Sequence, residues 1–165
     1  MRRVLGKAFG AVAAGAALVL AVNSPAMAVT IEKETGTGNV GVPGSSNPPG
    51  TSGTCHEIGI DQSRGCFAKS GDIIYILDAE FDFHNAYAKW DNDLKNSSGD
   101  WVRYRSGECW NKSGAQIWAA CNKDFYENDS TNAKNGKGSR VRLIICIDDV
   151  GDPTCSTGPW ILNND

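Results

Sequence analysis

Between residues 55 and 165 the apolar side chains fall in short alternating or continuous runs, separated by clusters of Gly, Ser, Asn and Asp. That is the pattern of strands and turns rather than of helices. Residues 64–69 and 72–78, the latter reading Asp-Ile-Ile-Tyr-Ile-Leu-Asp, flank Ser70-Gly71 and predict a hairpin. Alternation over 85–90 and 101–105, with Ser97-Ser98-Gly99 as loop between them, predicts two further strands, and 116–122 continues the series after Ser113-Gly114. Residues 140–148 (Arg-Val-Arg-Leu-Ile-Ile-Cys-Ile-Asp) are rich in β-branched side chains and predict a central strand. Trp160-Ile161-Leu162 closes the chain. No stretch carries a sustained helical stripe, and no repeat of fixed period is visible. Short strands between turns predict an all-β, mainly antiparallel fold, a small sandwich or barrel.

The first 54 residues do not follow this pattern. Arg2, Arg3 and Lys7 precede an uncharged apolar run over 8–22, and Ala26-Met27-Ala28 is an A-x-A cleavage site. Residues 1–28 therefore read as a secretory signal peptide, too short in its apolar part to span a bilayer. Of the 26 residues from Val29 to Thr54, 19 are Gly, Pro, Ser, Thr or Asn. Such a stretch buries too little to offset its ordering entropy, and it reads as a flexible, disordered arm. Its apolar side chains Val29, Ile31, Val40 and Val42 come as two alternating pairs, the form in which an added strand is offered to a partner's sheet edge or groove. The chain thus divides into a signal peptide (1–28), an arm (29–54) and a β domain (55–165).

All six cysteines lie in the predicted domain, and an even count in a short exported chain implies disulfides. Cys55, Cys66, Cys109, Cys121, Cys146 and Cys155 form three close pairs, separated by 11, 12 and 9 residues. Composition leaves 15 pairings open, and the spacing suggests the three local ones. Zinc competes poorly, because no C-x-x-C occurs and the two histidines are isolated. The whole chain is formally −3; Arg2, Arg3 and Lys7 carry +3 of that, so the chain from Val29 onward stands near −6. That charge disfavours nucleic acid and anionic membrane as partners.

Candidate chemistry is sparse. His56 sits beside a cysteine and His84 follows Phe81-Asp82-Phe83, each without a sequence neighbour that would make it a base. Asp78, Glu80 and Asp82 alternate and would share a strand face; paired carboxylates can hydrolyse glycosides, though such a row is more simply a wet face. Asp91-Asn92-Asp93, with Asn96 and Asp100, faintly resembles a calcium loop but lacks its glycine and terminal glutamate. No catalytic, cofactor-binding or metal-ligating residue is assigned, and no enzyme is expected. Trp90, Trp101, Trp110, Trp118 and Trp160 are many for one small domain; some fill the core, and exposed ones would suit a protein partner or sugar stacking.

Scattered features along the domain resemble a set of small secreted actinobacterial proteins. They are Gly65-Cys66-Phe67, Gly71-Asp72-Ile73, Leu77-Asp78, Ala88-Lys89-Trp90, Ser106-Gly107-Glu108-Cys109-Trp110-Asn111 with Gly114 and Cys121, Val141-Arg142 through Cys146, and Cys155 with Trp160. Proteins of this shape include the adaptor subunits of the secreted umbrella toxin particles of Streptomyces. The resemblance implies an extracellular, antibacterial toxin complex in which this chain joins a lectin-bearing subunit to a large toxin subunit. It further implies that the arm inserts into a cleft of the lectin-bearing partner. It fixes no individual contact residue. A secreted protease inhibitor, using a loop such as 110–120, and a carbohydrate-binding module, using the tryptophans, are the alternatives.

Overall fold

The structure, a computed structural model, describes residues 31–38, 47–49, 54–58, 63–149 and 151–164. The signal sequence expected at 1–28, and Val29, Val40 and Val42 of the arm, lie outside the described residues. The strands are β1 (Ile31–Thr35), β2 (Thr54–Ile58), β3 (Ser63–Ala68), β4 (Ile73–Asp78), β5 (Ala86–Asn96), β6 (Trp101–Trp110), β7 (Trp118–Asn122), β8 (Asn135–Ile147) and β9 (Thr154–Asn163). They form two sheets, of order β1-β6-β5-β8-β9 and β2-β3-β4-β7. Every strand pairing is antiparallel except β1 on β6, which is parallel. The expected all-β, disulfide-stapled fold is thus a sandwich.

Alternation decides which side chains fill it. Ala86, Ala88, Trp90 and Leu94 of β5 point inward, beside Val141, Leu143, Ile145 and Ile147 of β8. Ile58, Phe67, Ile74 and Ile76 meet them from the smaller sheet. Phe125, from the β7–β8 connection, plugs the margin edge-on to both Phe67 and Trp90, with ring centroids 5.8 and 5.5 Å away. Its backbone is pinned by the buried carboxylate of Asp72, which accepts from Phe125 N at 2.8 Å and from Asn163 Nδ2 at 2.9 Å. Asp72 can do this because the β3–β4 turn, closed by Asp72 N donating to Lys69 O, carries positive φ at Gly71 and Asp72. The hairpin read at Ser70-Gly71 is therefore also a clamp on the C-terminal strand.

The three disulfides pair as the spacing suggested: Cys55–Cys66, Cys109–Cys121 and Cys146–Cys155. Two of them join residues directly opposite in a ladder, on β2–β3 and β8–β9. Cys109–Cys121 differs, because β6 and β7 belong to different sheets: it staples one layer of the sandwich to the other.

Four local expectations are corrected. Residues 31–35 of the arm, read as free coil, form the edge strand of the larger sheet. Residues 54–58 form β2, which carries Cys55 and His56 opposite Cys66 and Gly65. The strand read at 85–90 runs on through Asp91-Asn92-Asp93 to Asn96, where a loop had been the natural reading. Strict alternation over 101–105 also fails. Arg105 pairs with Asn92 but Arg103 pairs with Asp93, so a bulge at Tyr104 sends Arg105 into the sandwich and Arg103 out of it.

Replacing the inter-sheet disulfide tests this architecture. The C109A/C121A variant is expected to lose about 3 kcal/mol of unfolding free energy from loop closure alone, read in guanidinium melts. It should lose more than C55A/C66A, because Cys109 and Cys121 are both buried whereas Cys55 is exposed.

Candidate protein-interaction site

The outward face of the larger sheet is a charged and aromatic lattice. Register places Tyr87, Lys89, Asp91, Asp93 and Lys95 of β5 on it, between Arg140 and Arg142 of β8 and Arg103, Glu108 and Trp110 of β6. Asp93 accepts from Arg103 Nε at 2.8 Å and from Arg140 Nη2 at 2.8 Å. Asp91 accepts from Arg103 Nη1 at 2.5 Å and from Arg142 Nη2 at 2.7 Å. Three guanidiniums therefore share two carboxylates across three strands, and Arg103 bridges both. Trp160 of β9 lies under all three, its ring centroid 4.1 Å from Arg140, 4.7 Å from Arg142 and 5.9 Å from Arg103. Arg140 also lies over Trp101, at 4.8 Å. Trp110 stacks flat on Tyr87, with centroids 4.2 Å apart, and donates through Nε1 to Glu108 at 2.9 Å.

This face is basic in an acidic chain. Lys33, Lys89, Lys95, Arg103, Arg140 and Arg142 face three carboxylates, Asp91, Asp93 and Glu108. Trp, Tyr and Arg are the residues favoured in protein interfaces, and guanidiniums prealigned by carboxylates lose little entropy on binding. The tryptophan faces toward which a sugar would stack are largely taken by cations. Asp91 and Asp93 likewise commit their oxygens to arginine rather than to calcium, and Asn92 points inward. Asn96 caps a turn, accepting from Ser98 N and Asp100 N. Among the described residues no three His, Cys, Asp or Glu side chains converge as a metal site.

The arm strand β1 borders this face and is fixed from beneath. Its alternation is inverted: Ile31 is 59% exposed on the outward side, while Glu32 and Glu34 turn inward. They meet Lys123, whose side chain is only 4% exposed and whose Nζ lies 2.6 Å from Glu34 Oε2 and 3.8 Å from Glu32 Oε2. Arg105 adds a longer contact, Nε to Glu32 Oε1 at 3.4 Å. Both cations lie over the buried ring of Trp90, Lys123 at 5.1 Å and Arg105 at 5.6 Å. Past β1 the chain crosses between layers: Gly36 N donates to Trp110 O, and Thr37 exchanges two backbone hydrogen bonds with Ala120 of β7.

Asp78, Glu80, Asp82 and His84 gather at one end of the sandwich, whereas His56 lies on β2 opposite Gly65. Asp78 ends β4 and is buried, while Glu80 and Asp82 lie in the following loop and not on a shared strand face. Burial holds the Asp78 carboxyl above the usual carboxylate range, against the hydrogen bond from Glu80 N, and the charge of Asp82 adds to the rise. The half-buried ring of His84 donates through Nδ1 to Asp148 O at 2.9 Å and lies 3.7 Å from Asp149 Oδ1. That carbonyl, then Asp82 and Asp149, raise its pKa above the ordinary 6.5. All six cysteines are in disulfides, so none is a free thiol.

Sequence reading did not pick out Glu32, Glu34, Lys123 or the three lattice arginines. The arginines had a signal, Arg-x-Arg at 103–105 and 140–142, though the bulge splits the first pair between two faces. No family model matches this chain, and neither a curated protein nor a solved structure matches it.

Two outcomes check the site. Lys123→Met leaves two inward carboxylates facing Arg105 alone, so amide exchange across Ile31–Thr35 should accelerate by at least tenfold while β5 and β8 stay protected. Because the pKa of His84 is raised in the fold, the stability that the imidazolium charge adds to this clamp is fully present below pH 6.5 and is lost as pH rises through the folded value. An NMR titration should place that value above 6.5, and D82N/D149N should bring it down.

Proposed function

We propose that this chain is a secreted, non-enzymatic adaptor that joins two other proteins, in the manner of the lectin-to-toxin adaptors it resembles. The observation that carries this reading is the outward face of the larger sheet: an Arg–Asp–Trp lattice bordered by a strand drawn from the arm. Its residue types are those of protein interfaces, and its cations outnumber its carboxylates six to three. It therefore suits an acidic protein surface, which the resemblance would place on the toxin subunit. The arm supports the second contact. β1 is an edge strand, with Ile31 outward, so a partner strand or cleft can engage it by strand addition. Disulfides in all three predicted pairs fit an oxidising, extracellular setting.

A second reading, protease inhibitor, rests on the loop between β6 and β7. Asn111 braces it from inside, donating through Nδ2 to Ile76 O at 3.2 Å and Ile117 O at 2.7 Å, with Lys112 exposed beside it. Inhibition of trypsin by the isolated domain, lost in Lys112→Ala, would favour it.

The adaptor reading is tested by affinity purification of the tagged protein from culture supernatant of the native strain, with mass spectrometry of what elutes. Two partners are expected, one lectin-like and one a large toxin. I31D/V40D/V42D, which keeps Glu32 and Glu34 on Lys123, should release the first, and R140E/R142E the second. A protein that elutes alone while both partners are expressed would overturn the reading.

A further inference from the structure

We infer that Phe81 and Phe83 form a docking knuckle, received by a protein partner in an apolar pocket rimmed with lysine or arginine. Phe81 is 78% exposed and Phe83 fully so, in the loop joining β4 to β5. Isolated exposed apolar residues are ordinary, but two whole phenyl rings one residue apart leave a large gain from burial unrealised. Phe83 also sits at φ 64°, a left-handed conformation that bulky side chains avoid. A strained, water-facing aromatic persists only where its surroundings impose it, and here they do. His84 N donates to Asp82 Oδ1 at 3.0 Å, Glu80 N to Asp78 Oδ1 at 3.2 Å, and Gln116 N to Asp78 O at 2.6 Å. His84 Nδ1 ties the far end of the loop to Asp148 O. The rings are thus presented by a braced loop, and binding them requires little further ordering.

Charge selects the partner. Glu80 and Asp82 alternate with the two rings, and Asp149 stands behind His84. These carboxylates oppose an anionic lipid surface and favour a pocket with a cationic rim. A second copy of this chain is a poorer fit, because its basic face already holds its guanidiniums over its own tryptophan rings. The inference rests on the adaptor reading only in taking the occupant to be a protein. It adds a contact at the loop end, separate from both the arm and the outward sheet face.

The experiment places the photo-crosslinker p-benzoylphenylalanine at position 83 in the native secreting strain, with position 98, in an exposed turn, as control. The expected result is a protein adduct at 83 and not at 98, whose mapped peptide lies in an apolar pocket flanked by Lys or Arg. F81S/F83S should then capture that protein at least tenfold less well with an unchanged melting temperature, and E80K should weaken it in low salt. Adducts no stronger than the control, adducts to lipid, or adducts to a second copy would each overturn the inference. If two partners are recovered but neither through position 83, the adaptor reading stands and the knuckle falls. If one partner is captured at 83 and no other is found, the knuckle stands and the adaptor reading falls.

Discussion

The indole of Trp90 is the constraint on which the rest of the domain depends. It is completely buried on the middle strand of the larger sheet, and truncating such a side chain costs about 4 kcal/mol. The room beside it comes from Gly107 on the neighbouring strand: a Cβ there would lie 2.5 Å from Trp90 Cζ2 and 2.4 Å from Glu32 O. One glycine thus admits both the ring and the arm strand. On its open side the ring is covered by Lys123 and Arg105, which the bulge at Tyr104 turns inward. Two cations drawn from water over an aromatic ring need counter-charge. Glu32 and Glu34 supply it, so the docking of the arm follows from the packing of the core.

The same geometry explains which parts of the fold were legible in the sequence. Strands with apolar inner faces, such as 72–78 and 140–148, announce themselves, and so does a disulfide framework whose separations are short and even. β1 does not. The usual rule assigns the apolar residue of an alternating pair to the inside, and here Ile31 faces water because the residue waiting inside is Lys123, distant in sequence. The extension of β5 through Asp91-Asn92-Asp93 was hidden for a related reason. Three acidic or amide residues in a row read as loop, and they become strand because arginines on both neighbouring strands pair with the carboxylates. Local pattern cannot report a charge whose partner lies 47 residues away, as Arg140 does from Asp93. The exposed pair Phe81 and Phe83 could be seen in the sequence, but exposure itself depends on the loop conformation.

Charge is distributed unevenly over the molecule, and an adaptor of the kind proposed would depend on that division. The outward sheet face is basic, whereas the loop end with Glu80, Asp82, Asp148 and Asp149 is acidic in a chain that is acidic overall. Surfaces of opposite sign select different proteins and steer each to its own side. The lattice of arginines also explains how three guanidiniums can lie on a flat sheet without repelling one another: each is held by at least one of two shared carboxylates, and Trp160 covers what remains.

The seat of the arm limits how a partner can use it. A partner that pulled β1 away would leave Lys123 and Arg105 over Trp90 with no nearby carboxylate from the arm, and an unpaired, poorly solvated cation is costly. Such an exchange is favourable only if the incoming segment carries acidic residues at alternate positions, reproducing Glu32 and Glu34. Strand addition to the outer edge of β1 requires no such match, because the inward pairs stay intact and only backbone groups and Ile31 are engaged. The physical chemistry of the seat therefore favours a partner that would extend the sheet over one that would replace its edge.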